Sequence, residues 1–525
     1  MPKVLISDKL DPLAVEIFEK NGVEVDFKPG LSPEEQIKII GDYDGLAIRS
    51  ATKLTPDMVR AAKKLKVVGR AGIGVDNIDI PSATEAGICV MNTPFGNSVT
   101  TAEHALAMMF ALSRQIPQAN ESTHAGKWEK KRFMGVELFN KTLGVIGCGN
   151  IGGIVADRAL GLKMKVIAFD PFLTEDRAKE IGVEKVELEE LFARAEFITI
   201  HVPKNEKTTG LINKDTIAQM RDGVRIINCA RGGIIVEADL REALDSGKVG
   251  GAALDVFEVE PAKENAVFGH ENVIRTPHLG ASTTEAQVNV AIQVAEQISD
   301  YLVNGAVTNA LNMPSISAEE APRLKPYVAL GSQIGELVGQ LCDGAFQSIE
   351  IEYEGSVTDV NTDPITSTII ANFLKSQLDS VNMVNALQIA ESRGIKIKQS
   401  YDGSAKDHRS LINVIVKSAD GEINVAGTLF TGKAPRIVNI EGVPIEAALT
   451  GPMLCIQNDD TPGFIGRLGA LLGSAGYNIS DFRLGRIEGG QHAIALASLE
   501  AQISDDVFAE IKALDQVQKA VRLQF

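Results

Sequence analysis

Residues 141–170 read KTLGVIGCGNIGGIVADRALGLKMKVIAFD, and their order decides the fold. The apolar run TLGVI leads into Gly147, Gly149 and Gly152 in the G-x-G-x-x-G arrangement, a helical stretch follows, and the run KVIAF ends at Asp170. A strand before the glycines and a helix after them is the setting in which this spacing carries meaning. Small residues there let the backbone approach a pyrophosphate held at the helix N-terminus. Asp170 stands 18 residues past Gly152. A carboxylate at that distance accepts from the adenosine ribose hydroxyls and repels a 2′-phosphate, which favours NAD over NADP.

Outward from this turn, strand-like runs end in KVIAFD, FITIHV, RIINCA, AALDVF and VIRTPH, enough for a complete doubly wound sheet. Ahead of it, KVLISD, VEVDF, GLAIRS, KVVGRAG and ICVMNTP alternate with helical patterns from Lys3 to about Asn97 and predict another parallel layer. The segment TTAEHALAMMFALSRQIPQANEST reads as one long helical stretch between the two. Thr283 to Asn304 reads as a single amphipathic helix ended by Gly305, and Asn309 to Met313 is placed to return the chain to the first unit. The expected fold class is α/β, with two Rossmann-like lobes, one inserted in the other, and a cleft between them. The substrate lobe is expected at residues 1–97 and 286–313, and the nucleotide lobe at 98–285. Three prolines between Pro314 and Pro326 mark a linker over 314–326. Residues 327–450 read as an α+β region with SIEIEYEG, LINVIVKS and INVAGTLF as strands and a helix near Thr366 to Leu387. From 452 to 525 the order is strand, helix, strand, strand, helix, strand, that of a ferredoxin-like domain.

The chain has 525 residues, ample for three to four domains at about 150 residues each. With 44% hydrophobic and 23% charged residues it can bury several cores. A net charge of −17 repels phosphate backbones and anionic lipid, so nucleic acid and membrane surfaces are poor partners. The five cysteines are scattered with no Cys-x-x-Cys pair, so no metal site is expected. With no signal-peptide pattern or spanning apolar run, a cytoplasmic location is expected.

Three further segments stand at the ends of second-sheet strands: NCARGGI with Arg231, ALDVFEVEP with Glu260, and TPHLGAS with His278. Hydride transfer between an alcohol and a carbonyl needs a cation for the substrate carboxylate, an acid–base group for the hydroxyl proton, and a group that orients and tunes it. Arg, His and Glu meet those needs. Over residues 1 to about 312 these segments, in this order beside the glycine turn, resemble the D-isomer-specific 2-hydroxyacid dehydrogenases. The resemblance implies that Arg231 binds and polarises the 2-oxo acid, that His278 is the acid–base residue, and that Glu260 hydrogen-bonds His278 and raises its pKa. It implies cofactor contacts from Gly147, Gly149, Asn150, Ile151, Gly152, Asp170, Cys229, Ala230, Arg231, Asp255, His278, Gly280 and Ala281. His201 is expected to line the cofactor cleft and His104 to pack within the helix or between lobes. Cys148 and Cys229 near the cofactor read as small buried packing rather than as redox-sensitive thiols.

Arg49 in AIRSATKLT and Arg70 in GRAGIGVDNID each end a first-unit strand, and with Arg231 they make a positive pocket suited to a small dianion. The resemblance to the phosphoglycerate-oxidising branch of the family gives Arg49 and Arg70 the phosphate, with Ile73, Gly74, Asn97 and Ser98 contacting the substrate. Lys130, Lys131 and Arg132 beside Trp128 add charge, either across a dimer contact or as a solvated loop. NDDTPGFIGRLGALLGSAGYNIS, starting at Asn458, resembles an ACT regulatory module. That resemblance implies an L-serine effector held by Asn458, Asp460 and Asn478, and places Lys406, Arg409, Lys433 and Arg436 as candidate anion contacts in the intervening domain. The expected activity is NAD-dependent oxidation of 3-phospho-D-glycerate to 3-phosphohydroxypyruvate, the first step of L-serine biosynthesis, in a homodimer or homotetramer. The rivals are a hydroxypyruvate or glyoxylate reductase and a non-catalytic dinucleotide-sensing corepressor.

Overall fold

Four-residue runs that are buried throughout, such as Gly45–Ile48 and Cys89–Asn92, can only be strands covered on both faces. In the computed structural model, which describes all residues except 317–319, 343–345, 377, 379–380, 405–406, 419–420 and 488–491, they belong to a parallel sheet. Its strands are β1 (Lys3–Ile6), β2 (Glu24–Phe27), β3 (Gly45–Ile48), β4 (Val67–Arg70) and β5 (Cys89–Asn92), in the order β2-β1-β3-β4-β5. The helix Thr284–Asn304 packs on this sheet from far along the chain. A Cβ on Gly69 in β4 would lie 2.6 Å from the side chains of Val294 and Ile298, so only glycine admits that helix so closely. The chain then rejoins the edge of the sheet, where Leu311 donates its amide to the Val90 carbonyl at 2.8 Å.

The second sheet is also parallel: β6 (Thr142–Ile146), β7 (Lys165–Phe169), β8 (Glu184–Lys185), β9 (Phe197–Ile200), β10 (Val224–Asn228), β11 (Val249–Leu254) and β12 (Val273–Arg275), in the order β12-β11-β10-β9-β6-β7-β8. The single long helix expected between the two sheets is two helices, Ser98–Arg114 and Ile116–His124. They are broken where Gln115 takes φ 51° ahead of Pro117. Proline lacks the N–H that would continue the first helix.

The stretch 314–326, expected as a linker, is instead helical from Ala321. The helix Ala321–Leu341 carries Pro322 in its first turn and Pro326 inside. Packing overrides the proline cost: Leu330, Ile334, Leu337 and Val338 are buried, and a Cβ on Gly335 would lie 2.4 Å from the Ile369 carbonyl of the partner helix Asp363–Lys375. That partner ends at Lys375, and a separate helix spans Ala386–Ser392, so the helix expected over Thr366–Leu387 is not continuous. Both cover a mixed sheet of β13 (Phe346–Gly355), β14 (Lys396–Asp402), β15 (Ser410–Ser418), β16 (Gly421–Phe430), β17 (Ala434–Ile440) and β18 (Val443–Ala447), ordered β14-β13-β15-β16-β17-β18. This unit docks on the first through asparagines. Asn382 Nδ2 donates to the Gly87 carbonyl at 2.9 Å and Asn385 Nδ2 to the Glu85 carbonyl at 3.1 Å.

The C-terminal unit alternates β19 (Pro452–Asp459), a helix Phe464–Ser474, β20 (Ile479–Arg486), β21 (His492–Leu499), a helix Asp505–Lys512 and β22 (Val517–Gln524). Its antiparallel order β20-β21-β19-β22 is the ferredoxin-like arrangement. Among the described residues no helix is long and apolar enough to cross a membrane.

Candidate active site

Parallel strands end on one side, so the residues just beyond them gather there. Gly147 follows β6, Asp170 β7, His201 β9, Cys229 β10, Asp255 β11 and Thr276 β12. From the first sheet come Asp8 after β1, Arg49 after β3 and Arg70 at the end of β4. Arg231 joins the two sets: its Nε donates to Asp76 Oδ2 of the first lobe at 2.9 Å.

The glycine turn has the shape a dinucleotide needs. Gly147 adopts φ 88°, and a Cβ there would lie 2.7 Å from the His201 carbonyl oxygen. A Cβ on Gly152 would lie 1.9 Å from the Gly147 carbonyl oxygen, whereas one on Gly149 would meet nothing within 4 Å. The first and third glycines let the turn close, and the second, exposed beside Asn150 at the start of the helix Asn150–Gly161, keeps its outer side open for a pyrophosphate. Asp170 is tied to the same turn, since its Oδ2 accepts the Cys148 amide at 2.8 Å and its Oδ1 the Phe172 amide at 2.8 Å. The carboxylate is thereby fixed beside the glycine turn, and the residues fit NAD. Ile151 lies partly buried in the first turn of that helix, and Ala230 accepts an Arg231 Nη1 bond at 2.6 Å. Cys148 and Cys229 are buried, and burial raises both thiols above their usual range. A thiol held neutral in this way is a poor nucleophile.

His278 and Glu260 meet, with 2.7 Å between Nδ1 and Oε2. Glu260 Oε1 also accepts the Phe257 amide at 3.0 Å. The bond to Glu260 raises the His278 pKa above its ordinary value, against the opposing effect of burial. For Glu260, burial pushes the carboxyl up, but the bonds from His278 and Phe257 more than offset it and leave it below its usual range. His278 Nε2 has no protein partner among the described residues, so it is the ring atom available to a substrate hydroxyl.

Arg49 and Arg70 stand on the first-lobe side of the cleft, and Arg231 reaches toward them from the second lobe. Arg70 is pushed down to about 10, first by burial and then by the charges of Arg231 and Arg49. Its Nε is buried with no hydrogen-bond partner among the described residues. A Cβ on Gly72 would lie 1.8 Å from Arg70 Nη1, and one on Gly74 would lie 1.7 Å from Arg231 Nη2, so these two glycines give the guanidinium groups their room. Such mutually repelling cations fit an anionic ligand. The Ile73 carbonyl accepts Asn92 Nδ2 at 2.7 Å. Asn97 is buried with its Oδ1 unpartnered among the described residues, while the neighbouring Ser98 donates its hydroxyl to the Pro94 carbonyl at 2.8 Å.

Asp255, expected as a cofactor contact, has no exposed surface and is held by a dense set of hydrogen bonds. Its carboxylate accepts the Leu279 amide at 2.7 Å, the Gly280 amide at 2.8 Å and the Thr276 hydroxyl at 2.6 Å, and its carbonyl accepts the His278 amide at 2.9 Å. It therefore holds the loop that presents His278 at φ 56° and leads on to Ala281. His104 reaches the same carboxylate at 3.2 Å, a link the sequence left as unspecified packing. His201 bonds Thr199 Oγ1 at 2.8 Å, and burial lowers it to about 4, so it stays neutral.

In the C-terminal unit, Asn458 is buried with its Oδ1 unpartnered among the described residues. Asp460 is ion-paired with Arg486 at 2.7 Å, and Asn478 donates to Glu500 at 2.8 Å, so both already have protein partners. Of the candidate anion contacts, Lys406 lies outside the described residues. Arg409 precedes β15, Lys433 lies in the turn after β16, and Arg436 in β17 donates to the Pro435 carbonyl at 2.8 Å. Lys130 stands 5.9 Å from the Trp128 ring centre, Arg132 bonds Glu129 at 3.3 Å, and Lys131 is exposed between them. Asp76, Asp8 and Asn77 carry no sequence signal, because their partners Arg231, Arg49 and Thr52 lie far away along the chain, and Gly72 carries none because its tie to Arg70 depends on the folded turn.

Comparison with known proteins bears on the same residues. Residues 106–280 match the family model for the NAD-binding domain of D-isomer specific 2-hydroxyacid dehydrogenases, and residues 323–441 match that for the intervening domain of D-3-phosphoglycerate dehydrogenase. Over 513 residues the chain is 44% identical to D-3-phosphoglycerate dehydrogenase of Synechocystis sp., covering 97% of this chain and 92% of that one. It is also 44% identical over 513 residues to D-3-phosphoglycerate dehydrogenase of Bacillus subtilis, covering 97% of each. Among solved structures, D-lactate dehydrogenase from Aquifex aeolicus complexed with NAD and lactic acid matches with a TM-score of 0.53 and 26% identity, over 59% of this chain and 100% of that one. At such identity over nearly the full length of both relatives, the chain belongs to the D-3-phosphoglycerate dehydrogenase family of NAD-dependent oxidoreductases.

Proposed function

We propose that the protein oxidises 3-phospho-D-glycerate to 3-phosphohydroxypyruvate with NAD, the first step of L-serine biosynthesis. The observation that carries this reading is the cluster of Arg49, Arg70 and Arg231, whose charges act on one another, with Arg231 also acting on His278 of the His278–Glu260 pair: such a cluster suits the two anionic groups of a short phosphorylated hydroxy acid. The turn of Gly147, Gly149 and Gly152 with Asp170 would hold NAD, which would supply the hydride acceptor for the substrate's C2. Arg231 holds the substrate carboxylate and polarises the carbonyl oxygen as it develops, with Asp76 fixing the guanidinium. His278 Nε2 takes the hydroxyl proton on oxidation and returns it on reduction, and Glu260 stabilises the imidazolium between those events. Arg49 and Arg70 hold the phosphoryl group.

L-Serine is the effector this reading assigns to the C-terminal unit, supported by the unpartnered, buried Oδ1 of Asn458. A homodimer or homotetramer is supported by Trp128, Met134 and Phe139, large apolar side chains that a lone subunit leaves exposed. The buried thiols of Cys89, Cys148, Cys229 and Cys455, none of them in a disulfide, support a reducing compartment such as the cytoplasm. The test is NAD reduction by purified protein with the D and L isomers of 3-phosphoglycerate, in the parent and in His278→Gln. Turnover of the D isomer alone, lowered roughly 10² to 10⁴-fold in the variant, is expected. No turnover of either isomer, or an unaffected variant, would overturn the proposal.

A further inference from the structure

Next to the arginine cluster lies a buried polar network that no step above uses. Asp8 is 4% exposed, Thr52 2% and Ser7 0%. Asp8 Oδ2 accepts the backbone amides of Arg49 at 2.6 Å and Thr52 at 3.1 Å, and its Oδ1 accepts the Thr52 hydroxyl at 2.7 Å. Ser7 Oγ and Gln36 Nε2 reach that same hydroxyl oxygen at 2.9 and 3.2 Å. From the other side, Asn77 Nδ2 donates to the carbonyls of Arg49 and Thr52, each at 2.6 Å. The turn Arg49–Thr52 is therefore held at both ends, its amides by the buried Asp8 and its carbonyls by the half-buried Asn77.

A carboxylate this deeply buried is costly unless several donors satisfy it, and three do here. What the arrangement secures is the shape of the turn. Ser50 and Ala51 stand exposed at its apex, and their amides donate to nothing among the described residues. Adjacent free amides on a tight turn form a concavity suited to an anion. Arg49 adds its guanidinium, with Nη1 3.5 Å from the Lys9 carbonyl beyond β1. Its charge and that of Asp8 both act on Arg70. The location has a topological reason: Asp8 follows β1 and Arg49 follows β3, the neighbours between which the order β2-β1-β3-β4-β5 reverses. Ligands of open parallel sheets bind at that reversal.

We infer that Asp8 is a positioning residue that shapes the Arg49–Thr52 turn into a receptor for the substrate's phosphoryl group, and so sets the preference for phosphorylated over unphosphorylated 2-oxo acids. The inference rests on the phosphate pocket proposed above. Asp8 touches no substrate atom; it acts through the amides it holds.

The test is steady-state reduction of 3-phosphohydroxypyruvate and of hydroxypyruvate by the full chain, the parent beside Asp8→Asn and Arg49→Ala, with inorganic phosphate as a competing ligand. Asparagine keeps the size but offers one acceptor where the aspartate offers two. Asp8→Asn is expected to raise KM for the phosphorylated substrate about tenfold, with kcat and the hydroxypyruvate KM changed less than twofold, and to weaken phosphate inhibition by the same factor. Equal loss on both substrates, or none on either, overturns the inference while a selective effect of Arg49→Ala leaves the pocket standing. If Arg49→Ala is itself unselective, the pocket reading fails first. Should Asp8→Asn not fold, Thr52→Val decides by the same criterion: a selective rise of about threefold supports the inference and an unselective one overturns it.

Discussion

Glu260 decides how much of His278 carries a proton at a given pH. Their bond raises the histidine, so in the proposed acid–base role the neutral imidazole that oxidation would need appears only at higher pH, and the imidazolium that reduction would need persists to higher pH. In Glu260→Gln the acid limb of kcat/KM for oxidation should move to lower pH, and reduction near neutral pH should slow. Profiles that do not move would contradict the assignment. The same pair sets a stability window. The raised histidine contributes fully below its unfolded value and loses that contribution as pH rises through its folded one. The depressed glutamate contributes above its unfolded value and loses that as pH falls through its folded one. The melting-temperature difference between parent and Glu260→Gln should thus be largest between roughly pH 4.3 and 6.5. At this scale Arg231, Glu260 and His278 were readable because each sits in a local motif just past a strand. Asp8 and Asp76 were not, because what they do depends on Arg49 and Arg231, brought near only by the folded cleft.

At the scale of elements, the glycine turn separates folding from cofactor binding. Gly152→Ala puts a Cβ against the Gly147 carbonyl and should lower the melting temperature and abolish NAD binding together. Gly149→Ala meets no protein atom, so its melting temperature should stay within a degree or two while KM for NAD rises about tenfold or more. Thermal melts and NAD titrations check both, and equal melting losses would contradict the assigned roles. The strand–turn–helix order was legible because hydrophobic period and glycine spacing are local signals. Helix ends were less so. Gln115 breaks a stretch whose pattern runs on, and Pro326 sits inside a helix where local propensity predicts a linker, because the buried face of Ala321–Leu341 outweighs one lost hydrogen bond.

Across the whole molecule, parallel sheets, a mixed sheet and a ferredoxin-like unit follow the expected order, while their contacts with one another came only from the structure. The asparagine contacts illustrate this. Asn385 has no exposed surface, and the carbonyl of Glu85 that it serves lies 300 residues earlier. Asn385→Ala should leave that carbonyl unsatisfied, cost about 1–3 kcal/mol, and lower the urea midpoint of unfolding; an unchanged midpoint would show that the contact carries no stability. The central claim is that the cleft selects a phosphorylated three-carbon substrate. It is tested most directly by NADH consumption with 3-phosphohydroxypyruvate and hydroxypyruvate side by side, each repeated with L-serine. A much higher kcat/KM for the phosphorylated compound, falling when serine is added, is the predicted result. Equal or reversed preference would contradict it and leave a general 2-oxo acid reductase.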